Sequence, residues 1–120
     1  MSRPPRRPGR VCEAAPWAVL VLFIPAAFLG MVMQANEYRG WGGGGVDCDG
    51  PALLAFAVPA LVVYGLLALV FARSAVRRRA WVPGLAALVC AALLAPLWSN
   101  VREARAEERD PAYLEVCEGR

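Results

Sequence analysis

Hydrophobic and polar positions separate into long blocks along this chain. Residues 14–33, 51–72 and 80–98 contain no Asp, Glu, Lys, Arg or His, and the charges gather in the segments around them. Each run is about 20 residues, which at ~1.5 Å rise per residue reaches across a ~30 Å hydrocarbon layer. The pattern predicts an all-α membrane protein with three transmembrane helices, over about 14–34, 51–72 and 80–99. Only residues 73–79 separate the second run from the third, so those two spans form an antiparallel hairpin.

Helix-breaking and capping residues refine these elements. Pro16 is expected to open the first span, where a missing N–H costs nothing. Pro25, Pro59 and Pro96 fall inside spans and are expected to kink them or shape their packing. Asp49 is placed to cap the second span, with Pro51 in its first turn. Good helix formers fill residues 100–110, so the third helix is expected to continue out of the membrane, polar all round, and stop before Pro111. Residues 112–120 then read as a short tail. Residues 1–13, rich in Arg and Pro, read as a disordered tail, and residues 35–50 as a Gly-rich connector whose Gly42–Gly45 run has no side chains to pack.

Small residues supply candidate packing faces. Ala87, Ala91 and Ala95 recur every four residues in the third span, and Ala26 and Gly30 do so in the first. Helices in lipid gain nothing from hiding apolar surface, so close approach across small residues is what packs them. The spacing leaves open whether these stripes face the chain's own helices or a partner.

The arginines orient the molecule. Arg3, Arg6, Arg7 and Arg10 precede the first span, and Arg73, Arg77, Arg78 and Arg79 follow the second, which places all eight on one side. The opposite side holds five: Arg39, Arg102, Arg105, Arg109 and Arg120. The positive-inside rule then puts the N-terminus in the cytoplasm and the C-terminus outside. Trp17, Trp81, Tyr38, Trp41 and Trp98 fall near span ends, where interfacial aromatic belts lie. A cleaved signal peptide is the rival for the first run. That run exceeds a typical apolar signal core, and Met33-Gln34-Ala35 lacks the small residue a cleavage site needs, so an uncleaved anchor is favoured.

At 120 residues and 58% hydrophobic, the chain holds one small bundle and no second domain with its own core. All 13 basic residues are Arg, there is no His, and Ile24 is the single isoleucine, a bias that matches G/C-rich codons. In length, span number and composition the chain resembles the short integral membrane proteins of high-GC actinobacteria. The resemblance implies a multi-pass protein of the bacterial plasma membrane and carries no active site.

Cysteines are the remaining chemistry. With the orientation above, Cys12 faces the reducing cytoplasm, Cys90 lies within the third span, and Cys48 and Cys117 lie together on the oxidising side. A structural Cys48–Cys117 disulfide follows from this compartment logic. A redox-active pair is disfavoured because no Cys-x-x-Cys is present. A metal site built from Asp47, Cys48, Asp49, Cys117 and Glu118 lacks His and any recognised ligand spacing. No cofactor is expected. The expected partners are the lipid bilayer, anionic headgroups at the N-tail, and a membrane protein or second copy, with nucleic acid excluded for want of a folded basic platform. The function expected from these features is that of a non-enzymatic accessory or assembly partner. The alternatives are an oligomeric transport or channel component and, last, a membrane thiol-disulfide protein.

Overall fold

The computed structural model describes residues 9–35 and 45–119, and every element within them is helical. Helices α1 (Gly9–Leu22) and α2 (Ile24–Val32) together form the first span, α3 (Gly50–Arg78) the second and α4 (Trp81–Glu107) the third, followed by a short α5 (Pro111–Cys117). Three stretches are long and apolar enough to cross a membrane: Cys12–Val32, Gly50–Arg78 and Trp81–Glu107. Their outer surfaces agree, because Val21, Leu22, Phe28, Leu66, Leu69, Leu85 and Leu88 are all exposed. Such a belt would be a liability in water and is the expected surface in lipid.

Pro25 breaks the first span, as its missing N–H requires. The helix stops at Leu22, Phe23 forms the break, and α2 restarts with Pro25 in its first turn. Pro59 and Pro96 remain inside continuous helices. Pro16 does not open the first span, because α1 already begins at Gly9 and carries Pro16 in its interior. Residues 9–13 are therefore helical, which corrects the expectation of disorder across 1–13. A reason is visible at the helix end, where Glu13 accepts a 2.8 Å bond from Arg78 and ties α1 to the last turn of α3. Both partners are more than half exposed, so the pair contributes at most about 1 kcal/mol.

The hairpin of α3 and α4 is tighter than the sequence implies. Helix α3 runs through Arg73, Arg77 and Arg78, leaving only Arg79 and Ala80 as the turn. Arg79 adopts a left-handed conformation at φ 49°, and its N–H closes the last turn onto the Ala75 carbonyl. A residue with a Cβ is strained there by about 1–2 kcal/mol.

The buried side of α3 reads Leu53, Ala57, Ala60, Tyr64, Leu67 and Phe71, in alternating steps of four and three. Against it α4 buries Ala86, Cys90, Leu97, Val101 and Ala104. This is the spacing that keeps one seam facing a neighbouring helix along its whole length. Helix α2 enters the seam at Gly30, where an added Cβ would lie 2.9 Å from the Ala57 Cα and 3.0 Å from the Leu97 side chain. Ala26 and Ala87 are half-buried beside this core, while Ala91 and Ala95 are exposed. The Ala91–Ala95 part of the predicted stripe is therefore left exposed, and among the described residues the Ala86–Cys90–Leu97 face forms the buried seam.

Candidate functional site

The end of the bundle remote from Arg78 carries a folded cap. Helix α4 runs on to Glu107, well beyond Trp98, but its extension is not polar all round: Val101, Ala104 and Glu107 are buried. Ala104 meets Ala35 and Leu53 in a small core of its own. Past Glu107 the chain turns, and Asp110 accepts a bond from the Ala112 N–H at 3.0 Å, capping α5 with Pro111 in its first turn. The segment read as a tail is thus a helix that folds back. Asp49, by contrast, makes no side-chain cap on α3.

Cys48 and Cys117 are bonded, with their Cα atoms 5.7 Å apart. The bond joins the residues just before α3 to the last residue of α5. Tyr113 is buried on the inner side of α5, its hydroxyl close to Gly50 at the start of α3. Burial pushes the Tyr113 phenol up from its ordinary pKa, and the carboxylates of Glu108 and Glu118 add to the rise. Cys48 is exposed and Cys117 half-buried, yet no other thiol is within reach to resolve the bond. Cys90 is buried in mid-span, and Cys12 lies at the far end of α1, where it is exposed. Among the described residues no three His, Cys, Asp or Glu converge to hold a metal, and in the metal grouping weighed above both thiols are consumed in the bond.

Two polar side chains hold the first span to the hairpin. The Tyr64 hydroxyl donates to the Leu20 carbonyl at 3.0 Å, in the last turn of α1 where the break at Phe23 interrupts the helical ladder. The Asn100 amide donates to the carbonyls of Gly30 and Met31 at 2.9 and 3.1 Å. Those carbonyls belong to the last turn of α2 and have no helical N–H of their own. Sequence reading passed over Asn100 because it stands at the membrane edge, where a polar residue attracts no notice. The available signal was a carboxamide two residues after a belt tryptophan, facing a helix that must end nearby.

Of the residues assigned to topology, Arg3, Arg6 and Arg7 lie outside the described residues, and Arg10 falls in the first turn of α1. Arg73, Arg77, Arg78 and Arg79 cluster at the hairpin turn, the same end as Glu13. Tyr38, Trp41 and Gly42–44 also lie outside the described residues. Comparison of the chain with protein-family models, with curated proteins and with solved structures finds no match.

Proposed function

We propose that the chain is a non-enzymatic accessory or assembly protein of the bacterial plasma membrane, with its N-terminus cytoplasmic and its cap outside. It works by lateral contact with another membrane protein or with a second copy of itself. The observation that carries this reading is the exposed face of α4. Ala91 and Ala95 are exposed there, in step with Ser99, and no described helix covers them. A small-residue stripe unused at home lets a foreign backbone approach closely. The rest of the bundle supports the reading from a different direction, since a disulfide and a buried tyrosine at the cap, with the Asn100 and Tyr64 clamps, hold it as a fixed platform. Arginines near the N-terminus add attraction to anionic headgroups, worth ~1 kcal/mol each close to the surface.

Purification in mild detergent tests the contact. The wild type should bring down a stoichiometric membrane-protein partner or run as a homo-oligomer, and Ala91→Leu/Ala95→Leu should release it while the Cys48–Cys117 bond stays formed. Recovery of the same assembly from the double variant contradicts the reading.

A further inference from the structure

A second feature of α4 points to a ligand rather than to a helix. Arg102 and Arg105 stand one turn apart on the extension of α4, and Arg109 lies in the turn just beyond its end. They edge an open groove of about 440 Å³ between α3 and α4. The groove floor is apolar, formed by Val58 and Leu61 of α3 and Val101 of α4, and Trp98 closes its membrane side. Among the described residues no acidic one lines it. All three arginines are exposed, and none is paired with a carboxylate described in the structure.

The depth of the groove is informative. Trp98 marks the edge of the hydrocarbon layer, and at ~1.5 Å per residue Arg102 and Arg105 rise about 6 and about 10 Å above it. The headgroup zone adds roughly 5–8 Å to each side of the bilayer, so Arg102 lies within it and Arg105 at its outer edge, within reach of a long side chain. Guanidinium forks near phosphate height, beside an apolar floor of Val58 and Leu61, match the two halves of a phospholipid.

We propose that this groove is a binding site for a phospholipid of net negative headgroup charge. Its phosphate is held by Arg102, Arg105 and Arg109, and the upper part of one acyl chain lies over Val58 and Leu61 beside Trp98. The site is at the end opposite the Glu13–Arg78 pair and does not depend on which compartment that end faces.

The test is native mass spectrometry of the full-length, disulfide-intact protein in mild detergent, titrated with dioleoylphosphatidylglycerol or dioleoylphosphatidylcholine. The wild type should retain one phosphatidylglycerol in preference to phosphatidylcholine. Each Arg→Gln change at 102, 105 or 109 should weaken retention about fivefold, the effect of one basic side chain near an anionic surface. Arg77→Gln/Arg78→Gln, which removes charge at the other end, should leave it unchanged. Arg102→Lys/Arg105→Lys, a second variant that keeps the charge but loses the fork, should fall between wild type and Gln. Equal retention of the two lipids, or undiminished phosphatidylglycerol in R102Q/R105Q/R109Q, overturns the proposal. So does displacement of the lipid by an equal concentration of inorganic phosphate, which would make the groove a free-anion site. A protein partner lost from the triple variant while its lipid is kept overturns it as well.

Discussion

Gly30 has no room for a side chain, because the Ala57 backbone stands where its Cβ would be. Gly30→Val should therefore cost about 1–3 kcal/mol through overpacking. Ala91→Val, on the exposed face of α4, should leave the isolated chain within about 0.5 kcal/mol of wild type. Thermal unfolding of both variants in the same detergent separates the buried small residue from the exposed one, and equal Tm values for the two would contradict the packing described. Asn100 tests the polar side of the same junction. Asn100→Leu strips two carbonyls of their donor and should cost about 1–3 kcal/mol, whereas a hydrogen bond of no consequence would leave the Tm unmoved.

At the scale of elements, α5 is held by three different bonds: the Asp110 cap, the buried Tyr113 ring and the disulfide. They respond to different conditions. Because the Tyr113 pKa is raised in the folded cap, the neutral phenol binds its proton more tightly there than in the unfolded chain. Its contribution is complete below the ordinary value of 10.0 and is lost as pH rises through the higher folded value. The cap should thus hold its protection against hydrogen exchange up to about pH 10 and lose it above, and Tyr113→Phe should remove that part of the pH dependence. Reduction acts separately. Breaking a loop whose cysteines are 69 residues apart should lower stability by up to ~4 kcal/mol in the chain-entropy view, less for a chain already confined by a membrane.

These same elements show what the sequence made legible. The three spans were plain because twenty uncharged residues have few uses outside a membrane. The Cys48–Cys117 pairing followed from sidedness once the spans were counted. The packed faces were not legible, for a physical reason: in lipid both the covered and the exposed sides of a helix are apolar, so hydrophobic periodicity carries no inside–outside signal. The Ala87–Ala91–Ala95 stripe was the more visible pattern, yet the seam runs along Leu53, Ala57, Ala60, Tyr64, Leu67 and Phe71. Only the alternating three and four spacing, with Tyr64 as the one polar member, could have marked it. Helix ends were blurred for a similar reason, since Arg73, Arg77 and Arg78 are good helix formers and nothing stops α3 before Arg79. Helix α5 was hidden by its brevity, although Asp110-Pro111 is a sound start signal.

The whole molecule is a kinked first span laid against a long hairpin, with one end pinned by the Glu13–Arg78 pair and the other by a disulfide-tied cap. Three crossings put those two ends in different compartments, and the cysteines report on both: Cys12 is exposed near Glu13, and Cys48 and Cys117 sit in the cap. Labelling of sealed membrane vesicles with a membrane-impermeant maleimide, with and without an impermeant phosphine reductant, reads this directly. Cys12 should label from one face without reduction. Cys48 and Cys117 should label only from the opposite face and only after reduction. Labelling of Cys12, Cys48 and Cys117 from the same face, or of Cys48 and Cys117 without reductant, would contradict the three-span, disulfide-capped bundle.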